Sequence, residues 1–323
     1  MPPVPTPRRR MRAVAVLATA LTLGAVVAGC SDDDAAGGRP TVVVTTTVLG
    51  AVVQDLVGDA AEVRVLMPNG ADPHDFQPSA KDVGALEDAD LVVENGLDLE
   101  EGLEDALGRV RDGGTPVFTA TDHVTLRAIG EGEHAEEEHA GEEHAEDGEE
   151  HGHGPEDPHI WMDPLAMRDV VTALAPVLQD DLGLDLTTRA ADAEAGLTAL
   201  DAEVRDTLAD IPPARRLLVT GHESMGYFAD RYDFRLVGAL IPSLSSQAQV
   251  SASNLAALRA QVEALDVPAV FTEAGTPDGV AEAIGDQTGA RVAEIGTHAL
   301  PGDGSYATFL REAAAAVDAG LAP

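Results

Sequence analysis

The sequence predicts an α/β protein of two lobes with mainly parallel sheets, joined by a helical bridge. Three observations carry this reading. Strand-like apolar runs alternate with helical patterns up to residue 121 and again from residue 216, the pattern of parallel βαβ units. Between them, residues 164–211 hold almost no strand signal. The length, 323 residues with 44% hydrophobic content, suffices for about two packed domains.

The N-terminus reads as a processing segment. Arg8, Arg9, Arg10 and Arg12 precede the uncharged run 13–29, whose seventeen residues are short for a membrane span and suit a signal peptide. The run ends in Val27-Ala28-Gly29-Cys30, which resembles a bacterial lipoprotein cleavage site. By that resemblance residues 1–29 are removed and Cys30 becomes a lipidated first residue. The exported chain is then anchored to the outer face of the cytoplasmic membrane through a flexible tether, 30–40. Cys30 is the only cysteine, which excludes a disulfide framework, a Cys-type zinc finger and a thiol redox pair.

The first lobe, 41–163, reads as strands at 41–47, 62–67, 90–95 and 116–121. Helices are predicted at 48–57, from a capping-box-like Ser79-Ala-Lys-Asp82, and near 99–110. The bridge, 164–212, starts at Asp163-Pro164, an N-cap acid followed by proline. Ala190, Leu197, Leu200, Val204 and Leu208 continue it at helical spacing until Pro212-Pro213. The second lobe, 213–323, has strands at 216–220, 234–240, 268–273 and 291–295, and helices at 224–231, 251–265, 277–287 and 305–319. No sequence repeat between the lobes is visible.

Twenty Lys+Arg against 57 Asp+Glu give a formal charge of −37, a field that repels nucleic acid. Much of the acid lies in 131–157, which holds thirteen carboxylates, five histidines (His134, His139, His144, His151, His153) and no basic residue. Such a segment cannot bury enough apolar surface to fold alone and reads as a disordered loop. Imidazole with carboxylate suits borderline cations such as Zn²⁺, so the loop is expected to bind metal weakly and at several sites.

Five histidines lie outside this tract. His74, His222 and His298 each follow a predicted strand, and His159 precedes a helix. Open α/β sheets place their ligand crevice at the carboxyl ends of strands, here between the lobes, and four neutral imidazoles would close a tetrahedral zinc site. His123 has no motif around it and reads as a surface residue.

The flanking sequences make the reading specific. His74-Asp75-Phe76-Gln77-Pro78-Ser79 resembles the His-x-aromatic-x-Pro-Ser motif of the metal-binding solute receptors of ABC transporters. Asp157-Pro158-His159-Ile160-Trp161-Met162-Asp163-Pro164 is similar to that family's second motif, and His222-Glu223-Ser224-Met225-Gly226-Tyr227-Phe228 to its third. Gly302-Asp303-Gly304-Ser305-Tyr306 resembles the segment after the last ligand loop.

The resemblance covers roughly 41–320. It implies two α/β lobes joined by a long rigid helix, with Zn²⁺ or Mn²⁺ held in the cleft and passed to an ABC permease. It also implies His74, His159 and His222 as ligands. A histidine at the third position marks the zinc branch. The fourth place, commonly Asp in the family, falls on His298, with Glu273 either an outer hydrogen-bond partner or an alternative ligand. Imidazole-rich, thiol-free donors suit Zn²⁺, while Mn²⁺ prefers oxygen.

The expected function is therefore high-affinity zinc capture for uptake by a monomeric, lipid-anchored receptor, not an enzyme. A surface metal buffer and a manganese receptor are the alternatives. A zinc hydrolase ranks below them, since no HExxH or GxSxG motif is present. Glu223 beside His222 is a weak general-base candidate.

Overall fold

A computed structural model describes residues 38–128, 156–276 and 279–323. Cys30, the processing segment and the five tract histidines lie outside the described residues.

In the first lobe β1 (Thr41–Val44), β2 (Glu62–Val65), β3 (Leu91–Glu94) and β4 (Val117–Thr119) form one sheet in the order β2-β1-β3-β4. Every neighbouring pair is parallel. Helices α1 (Thr47–Val57), α2 (Ala80–Glu87) and α3 (Glu104–Gly113) make the crossovers. Both faces of the sheet are buried, which explains the unbroken valine run of β1. Val42 and Val44 pack on one side and Val43 on the other.

The first strand is shorter than the run Thr41–Thr47 suggests. β-Branched threonines read as strand, but Thr46 is the N-cap of α1 and the Thr45 hydroxyl bonds a buried carboxylate, Glu100. The capping box of α2 is present as read, with Ser79 and Asp82 satisfying each other's backbone N–H.

The helical bridge is a hairpin of α4 (Pro164–Leu182) and α5 (Thr187–Thr207). Gly183 divides it, capping α4 in the left-handed region at φ 69°. Of the two, α5 is the long connecting element, about 30 Å at 1.5 Å per residue. It packs against α1 in the first lobe and against the C-terminal helix in the second.

The second lobe holds β5 (Leu217–Thr220), α6 (Gly226–Arg231), β6 (Arg235–Ala239), α7 (Ala252–Leu265), β7 (Ala269–Thr272), α8 (Val280–Thr288), β8 (Arg291–Glu294) and α9 (Tyr306–Leu321). Parallel pairs β5-β6 and β7-β8 lie side by side through β5 and β7. The spatial order β6-β5-β7-β8 repeats that of the first lobe, a repeat carried by topology and invisible in the residues.

One apolar cluster runs from Val42 through α1, α4 and α5 to Leu321, so the lobes share a continuous core. Smaller clusters fill the outer face of each sheet. Among the described residues no helix is long and apolar enough to cross a membrane.

Candidate metal centre

In each lobe the strand order reverses between its first and third strands, where an open sheet leaves its crevice. His222 follows β5 and Glu273 follows β7, at that reversal in the second lobe. His298 lies in the loop after β8, His74 in the turn after β2, and His159 just before the short 3₁₀ turn Ile160–Met162 that leads into α4. These five residues converge. His123 does not; it is exposed and stacks on Phe118.

His74 Nε2 lies 3.4 Å from His159 Nε2, which lies 3.2 Å from His222 Nε2. Four nitrogens placed tetrahedrally around zinc at about 2.05 Å would be about 3.3 Å apart. Two of the three edges among these nitrogens thus already match a zinc coordination shell, and the nitrogens form a potential metal-holding group. The His298 ring stacks 5.5 Å from His222 and stands 6.5 Å from His74, outside that tight trio. Its Nε2 is buried with no hydrogen-bond partner. A buried polar nitrogen left without a partner costs free energy unless something fills the place it faces.

Two of the rings, His159 and His222, are oriented from behind. Asp157 Oδ1 accepts both the backbone N–H of His159 (2.9 Å) and its Nδ1 (2.8 Å). Glu273 Oε1 accepts the backbone N–H of His222 (2.8 Å) and lies 3.1 Å from its Nδ1. The other Glu273 oxygen accepts Thr297 Oγ1 at 2.6 Å and Ser224 Oγ at 2.9 Å. Such carboxylate partners fix the tautomer and leave Nε2 facing the metal.

Electrostatics follow the same division. Burial, then repulsion from the neighbouring imidazoles, pulls His74 down to about 2. Burial and His222 pull His298 down to about 4. Burial also opposes protonation of His222, but the Glu273 carboxylate outweighs it and raises His222 above its ordinary 6.5. Glu273 itself is held well below the carboxylate range; burial resists this, and His222 and its hydrogen bonds overcome it. At neutral pH His74 and His298 are therefore neutral donors backed by an ionised Glu273.

Trp161 and Asp163 give the second motif structural anchors. Trp161 Nε1 donates to Thr297 O at 2.8 Å, tying the His159 turn to the His298 loop. Tyr306, from the Gly-Asp-Gly-Ser-Tyr segment, donates to Trp161 O at 2.8 Å. Asp163 caps α4 through Leu165 N at 2.8 Å and pairs with Arg231 at 2.7 Å.

Asn95 is a residue that pattern reading missed. Its amide donates to Pro158 O at 2.9 Å, one peptide before His159. Its own N–H is held by Glu100 at 2.7 Å. Burial pushes Glu100 up to about 7 against the hydrogen bonds from Thr45, Asn95 and Gly96. The available signal was the Asn-Gly pair directly after β3. Glu223 lines a small cavity with Arg127 and Thr220 and takes no place among the histidines.

Over residues 42–320 the sequence matches the family described as zinc-uptake complex component A, periplasmic. The chain belongs to this family. Members of the zinc-uptake component A family are extracytoplasmic solute receptors of ABC transport, and the chain is accordingly a receptor and not an enzyme. It is 30% identical to the zinc-binding protein TroA of Treponema pallidum over 287 residues, 87% of this chain and 86% of that protein. It is 31% identical over 293 residues to the high-affinity zinc uptake system protein ZnuA of Paracoccus denitrificans, covering 82% and 86%. The solved structure of periplasmic TroA superposes with a TM-score of 0.71 at 25% identity, over 88% of this chain and 100% of that one.

Proposed function

We propose that this receptor captures Zn²⁺ between its lobes with the Nε2 atoms of His74, His159, His222 and His298, and hands it to a cognate permease. The observation that carries the reading is the 3.2–3.4 Å spacing that links three buried or half-buried imidazole nitrogens, with a fourth buried nitrogen, His298 Nε2, left without a hydrogen-bond partner. Glu273 supports this set from behind His222 and takes no ligand place. An all-imidazole set selects zinc over manganese, which prefers oxygen donors. The test is competition titration of the full chain against zinc and manganese with a calibrated chelator. One tight zinc equivalent with much weaker manganese binding is expected, and tighter manganese would sink the reading.

The mature chain works as a lipid-anchored monomer, with Cys30 carrying the lipid and residues 131–157 gathering zinc loosely near the cleft. Support comes from the residues around Cys30 and from the composition of the acidic tract. Cys30→Ser is expected to abolish lipid labelling in cells while the metal site stays intact; normal labelling would refute the anchor.

A further inference from the structure

Three hydrogen bonds cross the cleft beside the histidines, and all start from the turn that carries His74. The Asn69 amide makes two of them with one backbone unit: Nδ2 donates to Leu300 O at 2.8 Å, and Oδ1 accepts from Leu300 N at 2.8 Å. Leu300 lies two residues beyond His298. The third joins Asp72 to Ser246, a buried residue in the loop between β6 and α7, with Ser246 Oγ donating to Asp72 Oδ2. The other Asp72 oxygen accepts the backbone N–H of His74 at 3.0 Å. One turn of the first lobe is thus tied to two loops of the second, and it holds His74 by its own backbone.

His74 is the half-buried member of the set, while His159, His222 and His298 are buried. It is the ligand nearest solvent, and the one whose departure would open the site. The Asn69 carboxamide donates and accepts at once against the C=O and N–H of one residue; Asp lacks the donor and Ala lacks both groups.

Resting on the zinc reading above, we infer that Asn69 and Asp72 form a clasp across the cleft. They are positioning residues that hold His74 against His298 and set how slowly bound metal leaves. Contacts that must break before the metal can leave act on dissociation far more than on encounter. The clasp therefore governs retention of the cargo and leaves its capture nearly unchanged.

The experiment measures zinc uptake, and zinc release into excess chelator, by stopped flow on the full chain. The variants are Asn69→Ala, Asn69→Asp, Ser246→Ala and the double Asn69→Ala/Ser246→Ala. Ser251→Ala is the control; it loses a comparable hydrogen bond, to Asn254 N at the start of α7, inside one lobe. Each single clasp variant should release zinc about three- to tenfold faster, with uptake within about twofold of the parent. Asn69→Asp should fare no better than Asn69→Ala, because its carboxylate faces the Leu300 carbonyl. Ser246→Ala keeps the test open should Asn69→Ala fail to fold.

Release at the parental rate in the folded clasp variants would overturn the inference, as would equal acceleration in Ser251→Ala. A parent that binds no tight zinc would instead overturn the proposed function itself.

Discussion

Glu273 and His298 both follow strands of the second lobe, and sequence spacing alone could put either beside a metal. Their hydrogen bonds separate them. Both Glu273 oxygens are engaged, by His222, Ser224 and Thr297, whereas His298 Nε2 has no hydrogen-bond partner. His298→Ala should weaken zinc binding well over tenfold, because it opens a ligand place to water. Glu273→Ala should cost about 10- to 100-fold, the usual range for a group that orients a ligand histidine. Chelator-competition titration of the two variants gives both numbers. Acidity supplies a second check. His222, raised above 6.5 by Glu273, is the ligand whose proton competes with zinc first. A proton-bearing ligand loses metal below its own pKa, so apparent affinity should fall about tenfold per pH unit as pH drops below that of His222. His74 and His298, pulled down to about 2 and about 4, add no further proton until strongly acid pH. Titrations between pH 5 and 8 should show affinity falling as the pH drops; an affinity independent of pH over that range would contradict this competition. At this scale the histidines were legible because their motifs are contiguous in sequence. Glu273 was legible as an outer partner or an alternative ligand, but not which histidine it backs; Asn95 and Thr297 were not legible, since separate elements bring them to the site.

The elements show why local signals succeeded where they did. Asp163-Pro164 marks the start of α4 because the carboxylate can cap Leu165 N and proline needs no N–H there. The sequence could not show that the same carboxylate takes a two-pronged bond from Arg231 at the end of α6. Asp163→Ala therefore removes a cap and a partly buried ion pair together. It should destabilise the metal-free protein by about 1–3 kcal/mol. Denaturant unfolding measures this, and a loss no larger than a few tenths of a kcal/mol would show the pair to be idle. The limits of local reading also appear here. Threonines at 45–47 carry strand propensity but are claimed by a helix cap and by Glu100, and Gly183 turns one apparent helical bridge into a hairpin. Tertiary partners decided both.

Across the molecule, the continuous core through α1, α4, α5 and α9 joins the lobes into one packed body. The two-lobe architecture was legible from strand–helix alternation, but the shared strand order was not, because the lobes agree in topology and not in residues. The net charge of −37 draws cations toward this surface, and the tract 131–157 contributes thirteen of its carboxylates. Deleting 131–155, which spares the Asp157 that orients His159, should leave the tight zinc equivalent within about tenfold of its affinity while weaker equivalents disappear, since dispersed carboxylates and imidazoles bind without a fixed geometry. Zinc titration by calorimetry distinguishes the two classes of site. Persistence of the weak equivalents would place them elsewhere on the surface.

The most direct measurement is a crystal structure of the zinc-loaded protein with anomalous scattering recorded at the zinc edge. The expected result is a single strong peak in the cleft, about 2.0–2.1 Å from the Nε2 atoms of His74, His159, His222 and His298, with Glu273 still bonded to His222 behind it. A peak coordinated by three histidines and a Glu273 oxygen, with His298 turned away, would contradict the four-histidine site.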